Sequence, residues 1–214
     1  MKLARRLLLS SRPLSWINTA FPFAASYFFL GGEVNAFFLV TSLFFLIPYN
    51  FLMYGINDIF DYESDLRNPR KGGLEGALLT PELHRPMLIF VSVINLPFLI
   101  FISWQVVGNL LALGVFWLTI FFVVAYSAKG FRYKEIPFLD SATSSLHFVG
   151  PAMFALATLG KFDGSLLIAL IAFFLWGAAS HAFGAIQDIR ADKEAGIASI
   201  ATAIGARTTT RLAF

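Results

Sequence analysis

Hydrophobic and charged positions segregate into long blocks along this chain. Residues 13–32 carry no charge over 20 positions, 34–57 none over 24, and 86–128 none over 43. Residues 141–160 add 20 more and 164–187 another 24. A helix needs about 20 apolar residues to cross a bilayer core. The 43-residue block is long enough for two crossings that meet near "VVGN", Val106–Asn109. The five blocks therefore predict an all-α membrane protein, a bundle of six transmembrane helices. Each block is continuously apolar, without the period-two alternation of outer-membrane strands, so helices are favoured over a barrel. The first block is too long for the apolar core of a cleavable leader, and it contains Pro13, Trp16 and Pro22.

Composition agrees with the pattern. Of 214 residues, 57% are hydrophobic and only 14% charged, and the mean hydropathy is +0.72. Charged residues usually make up about a quarter of a soluble domain. There is no cysteine, which excludes disulfides and thiolate-bound metals. The three histidines, 84, 147 and 181, are not spaced as a zinc set.

Charge then orients the bundle. If six helices alternate in direction, the segments 1–12, 57–86, 127–140 and 188–214 share one side. They hold every Lys and Arg of the chain except Lys161. By the positive-inside rule this side, with the N-terminus, is expected in the cytoplasm of a multi-pass protein of the cell membrane. Of the acids, only Glu33 and Asp163 fall on the other side. Topology does not demand acids, so their clustering requires a second reason. The net charge of +3 is accounted for by topology and carries no nucleic-acid meaning.

The acids form two patterned clusters. In "NDIFDYESD" Asp58, Asp61 and Asp65 stand at i, i+3 and i+7, with Asn57 beside them. In "QDIRADKEAG" Asp188 and Asp192 stand at i, i+4. Each set shares a helical face, and each closes a predicted transmembrane helix on the same side. Like-charged carboxylates on adjacent turns repel unless cations occupy them. Hard oxygen donors of this kind suit Mg²⁺, which binds through a few carboxylates and completes its shell with substrate phosphates. Arg67, Arg70 and Lys71 follow the first cluster, and Lys129, Arg132 and Lys134 lie in the next loop on that side. Carboxylates for metal with Arg and Lys nearby are what a diphosphate needs. Tyr126 lies at the same end of the fourth helix, and Asn50 and Tyr54 share the face of Asn57 at greater depth. Arg12 either turns inward to the phosphate site or marks topology. His181, about 10 Å deeper than Asp188, either accepts a proton or bonds a neighbouring helix.

These residues resemble the UbiA superfamily of intramembrane prenyltransferases. "NDIFDYESD" is similar to its NDxxDxxxD motif, and "DIRAD" to its second, DxxxD motif. "SRPLSWINTAFPF", "NDIFDYESDLRNPRKGGLEGALL" and "SHAFGAIQDIRADKEAGIASIATAIGAR" most resemble the lycopene elongase branch. The resemblance implies one transmembrane domain over 1–214, with about nine helices around a central cavity, so this chain is expected to be incomplete at its C-terminus. It implies Mg²⁺ held by Asn57, Asp58, Asp61, Asp65, Asp188 and Asp192, with Asp61, Asp188 and Asp192 catalytic. It further implies a diphosphate site of Arg12, Asn57, Arg67, Lys71, Tyr126, Arg132 and Lys134. The expected activity is Mg²⁺-dependent transfer of a prenyl group from an allylic diphosphate donor, such as dimethylallyl diphosphate. The expected acceptor is a hydrophobic isoprenoid from the bilayer, lycopene first, on the way to elongated acyclic carotenoids. Membrane lipids are the expected surroundings.

Other readings of the same residues are an aromatic quinone precursor or a chlorophyll-type substrate and, from another class, a cation transporter. A transporter places carboxylates at mid-membrane, yet the apolar blocks are free of charge. A CDP-alcohol phosphotransferase requires a DGxxAR segment, which is missing.

Overall fold

The computed structural model describes residues 3–66 and 78–214, and among them every regular element is helical. Five helical stretches have the length and hydropathy to cross a membrane: 36–60, 81–106, 110–127, 139–159 and 164–195. The first apolar block also folds as a helix, α2 (Trp16–Phe29), but its 14 residues span only about 21 Å. It is shorter than its block for two reasons. Pro13–Ser15 winds into a 3₁₀ turn before it, and Gly31, at φ 85°, follows its end. Five helices of crossing length and one short one thus stand where six spans were expected.

The second block bends. It forms α3 (Ala36–Leu46) and α4 (Pro48–Phe60), because Pro48 has no N–H to continue the ladder. Side chains supply donors to the carbonyls at the break. Asn50 Nδ2 donates to Phe45 O at 3.0 Å and Leu46 O at 3.1 Å, and Thr19 Oγ1 from α2 donates to Phe45 O at 2.6 Å. Asn50 is therefore fully buried at the kink rather than on a cavity wall.

The 43-residue block divides as its length requires, into α6 (Pro81–Val106) and α7 (Leu110–Ser127). Asn109 caps α7 by accepting from Ala112 N at 3.0 Å, and it donates to Ala157 O at 2.9 Å. Next come α8 (Leu139–Leu159) and α9 (Gly164–Ala185), the latter capped by Asp163 through Leu166 N at 2.9 Å.

The axis of the bundle is α8, which packs against α2, α7 and α9, while α4 packs against α3, α6 and α7. Small residues allow the close approaches. A Cβ built on Gly150 would lie 2.7 Å from Thr119 of α7, and one on Gly177 would lie 2.4 Å from Ser145 Oγ of α8. Ser145 completes that contact by donating to Phe174 O at 2.7 Å. Between α2, α3, α7 and α8 sits an aromatic core in which the Phe154 ring is stacked on Phe23, edge-on to Phe45 and tilted against Phe116. Short helices surround the end that bears the acidic motifs: α1 (Leu3–Ser10), α5 (Tyr62–Asp65), α10 (Ile189–Ala195), α11 (Ile200–Ile204) and α12 (Ala206–Ala213).

Candidate active site

The first motif is distributed over three backbone states. Asn57 and Asp58 lie in the last turn of α4, Asp61 ends that helix at φ −100° and ψ 0°, and Asp65 closes α5. The even helical face expected over 57–65 is thus broken at Asp61. The consequence is a division of labour. Asn57, Asp61 and Asp65 line a cavity of about 750 Å³, whereas Asp58 is 1% exposed and turned to the N-terminal segment. Asp58 accepts from Ser10 Oγ at 2.9 Å and pairs with the Arg12 guanidinium at 3.2 Å.

Arg12 turns inward, which resolves the choice the sequence left open. Its backbone is left-handed, at φ 50° and ψ 71°, and this aims the side chain at α4. Its guanidinium donates to Asn57 Oδ1 at 3.3 Å and lies 4.2 Å from the centre of the Tyr54 ring. Asn57 also donates from Nδ2 to Asp61 and, at 3.1 Å, to Ser127 Oγ of α7.

The second motif faces the first across the same cavity. The backbone after α9 passes through a 3₁₀ turn, Ile186–Asp188, into α10, and both Asp188 and Asp192 line the wall. Lys134 reaches the cavity from the loop between α7 and α8 and forms an ion pair with Asp61. Arg132, expected on the diphosphate, lies behind it: 3.8 Å from Asp61, bonded to Glu135, and donating to Phe60 O at 3.3 Å. It lines a separate recess of about 310 Å³ with Phe60, Glu63 and Glu135. The Glu135 carboxyl is held below its ordinary range, first by the hydrogen bond from Arg132, and the guanidinium in turn is raised. Arg67 and Lys71 lie outside the described residues.

Deeper in, Tyr126 and His181 line the wall together, with the phenol oxygen 3.0 Å from Nε2. Ser141 Oγ stands 3.1 Å from the other ring nitrogen of His181. His147 is buried against Tyr126, with Nε2 3.3 Å from Phe122 O. Met53, Tyr54 and Phe148 contribute the greasy part of the wall.

The donor set fits a hard cation. Five carboxylates line the cavity, and four of them, Asp61, Asp65, Asp188 and Asp192 of the two motifs, join the amide of Asn57 as a set of hard oxygen donors. Among the described residues, no three acids or imidazoles gather into a ready-made cage. That suits Mg²⁺, which takes one or two carboxylates and phosphate oxygens. Sequence reasoning missed Ser10, Ser127, Asp140 and Ser199. Ser10, Ser127 and Asp140 have partners 48 to 70 residues away, and Ser199, seven residues from Asp192, lies beyond the second motif, so no motif spacing announces them.

Comparisons with known proteins give the family and the fold. A model of the UbiA prenyltransferase family matches residues 19–214. The C(50) beta-cyclic carotenoids biosynthesis protein LbtBC of Dietzia sp. is 52% identical over 206 residues, covering 94% of this chain and 46% of that protein. A lycopene elongase/hydratase of Corynebacterium glutamicum is 49% identical over 219 residues, covering 99% of this chain and 74% of its own. The chain thus spans less than half of the first relative and about three quarters of the second. Among solved structures, a UbiA homolog from Archaeoglobus fulgidus bound to DMAPP and Mg²⁺ superposes with a TM-score of 0.72 at 19% identity. That match covers 95% of this chain and 71% of the other, and it shows a shared fold. On the family match and on relatives about half identical over nearly its whole length, the chain belongs to the UbiA prenyltransferase family.

Proposed function

We propose that the protein transfers a prenyl group from an allylic diphosphate, such as dimethylallyl diphosphate, to lycopene within the membrane, with Mg²⁺ as cofactor. The observation that carries this reading is the pair of acidic motifs facing each other across one cavity that also holds Lys134 and Arg12. The relatives named lycopene elongase/hydratase favour lycopene as acceptor, and the homolog bound to DMAPP and Mg²⁺ favours the donor and the metal.

In this reading Asn57, Asp61 and Asp65 hold metal from one side, and Asp188 and Asp192 from the other. Bound Mg²⁺ supplies positive charge to the diphosphate oxygens as the leaving group forms. Lys134 and Arg12 match the remaining negative charge, so the allylic C–O bond breaks heterolytically. Arg67 and Lys71, which follow the first motif in sequence, are assigned to the same diphosphate. Arg132 acts from behind, by fixing Asp61 and the 132–135 turn. Tyr54, Tyr126 and Phe148 present aromatic faces to the allylic cation, and the apolar wall keeps water from it. A double bond of the acceptor then attacks, forming the new C–C bond. The adjacent C–H proton leaves to the hydroxyl of Tyr126 as that group passes its own proton to His181. With the Lys- and Arg-rich end cytoplasmic, the donor enters from water and the acceptor from the bilayer.

The test uses membranes containing the protein, labelled dimethylallyl diphosphate, and lycopene or an aromatic quinone precursor as acceptor. Lycopene is expected to take the label, chelation of Mg²⁺ to stop the reaction, and Asp61→Ala or Asp188→Ala to slow it by at least about a hundredfold. Near-normal transfer in either variant would sink the metal assignment. Label in the aromatic acceptor alone would move the activity to that class.

A further inference from the structure

We propose that Asp140 is a positioning residue for the second acidic motif, acting through the backbone of Ile200 and the hydroxyl of Ser199. Asp140 stands in the first turn of α8, fully buried on the cavity wall, and belongs to neither motif. Its Oδ1 accepts from Ser141 N at 2.7 Å and its Oδ2 from Ile200 N at 2.8 Å. Both oxygens of a buried carboxylate are thus committed to backbone donors, which makes the group a strut rather than a ligand. Ile200 opens α11, and the residue before it, Ser199, caps that helix. The same Ser199 hydroxyl donates to Asp192 Oδ2 at 3.2 Å. The central helix of the bundle is in this way tied, through two residues, to a carboxylate of the second motif.

The tie matters because of what lies between. Gly196, left-handed at φ 71°, ends α10, and residues 197–199 have no regular structure. Asp192 sits on a helix of seven residues that α9 alone would aim. A strut from α8 sets the separation of Asp192 from Asp61 and Asp65 on the opposite wall. This inference rests on the metal reading given above, and Asp140 itself contributes no ligand to it.

The experiment compares wild type, Asp140→Asn and Ser199→Ala in lipid nanodiscs. Binding of Mn²⁺ alone is titrated by electron paramagnetic resonance, and exchange of the Ile200 amide is followed without metal. Asn at 140 turns an N–H towards a backbone N–H, so Ile200 is expected to exchange about tenfold faster or more, with Mn²⁺ bound about ten- to a hundredfold more weakly. Ser199→Ala is expected to weaken Mn²⁺ to a similar degree while Ile200 stays protected. Wild-type Mn²⁺ affinity in Asp140→Asn with fast Ile200 exchange would overturn the proposal, and so would unchanged exchange. If Asp140→Asn does not fold, unchanged Mn²⁺ affinity in Ser199→Ala would overturn it instead. Absence of Mn²⁺ binding in the wild type would defeat the metal reading, while Ile200 exchange would still report on the strut.

Discussion

At Arg12 one guanidinium meets Asn57, Asp58 and the face of Tyr54, from a backbone conformation that non-glycine residues seldom adopt. Arg12→Lys keeps the charge but loses the planar fork that serves these partners together. The expected outcome is a donor KM raised about tenfold in steady-state kinetics, the loss of one charge-assisted hydrogen bond of about 1.5 kcal/mol. Glu135 gives a pH prediction. Its folded pKa is depressed by Arg132, so its contribution to stability is complete above the ordinary carboxylate value of about 4.3 and is lost as pH falls through the lower folded value. Between about pH 5 and pH 3, the thermal midpoint of the wild type should fall further than that of Glu135→Gln, as read by melting in detergent. The acidic motifs were legible from spacing and type, because both are local in sequence. The inward turn of Arg12 was one of two readings the sequence offered, since what decides it is Ser10 and Asp58, 48 residues apart, closing on each other.

Among the helices, the division at Val106–Asn109 could be read from block length, and its Asn109 cap follows a common local rule. The kink at Pro48 had the opposite fate. Face-counting along an unbroken helix puts Asn50 beneath Asn57, but the break withdraws Asn50 to serve the exposed carbonyls. Asn50→Leu should therefore act on stability before activity, costing about 1–3 kcal/mol as Phe45 and Leu46 lose a buried donor. Chemical denaturation of the purified protein checks this. At the α8–α9 contact, Gly177→Leu should cost about 1–3 kcal/mol by overpacking against Ser145, read by the same measurement. Neither close approach could be located from sequence, because a glycine does not announce which helix it meets.

Seen whole, the bundle wears its apolar residues outside. Trp104 is 76% exposed and Trp176 65%, both on helices long enough to cross a membrane. In vesicles of brominated-chain lipids these two should be strongly quenched. A variant retaining only Trp16, which donates its ring N–H to Ser11, should be quenched less. The fold class was legible at this scale because charge-free blocks are long-range patterns. The cavity was implied by the resemblance alone, and its full lining could not be read from spacing, since the wall joins Arg12 to Ser199. That breadth bears on biosynthesis. A ribosome delivering helices one at a time meets the first acidic motif long before the second, and Asp140 has no Ile200 to hold until 60 residues later. In the proposed mechanism the nascent chain therefore holds only one of the two carboxylate sets until α9 and α10 are made, and prenyl transfer waits for both sets to line one cavity.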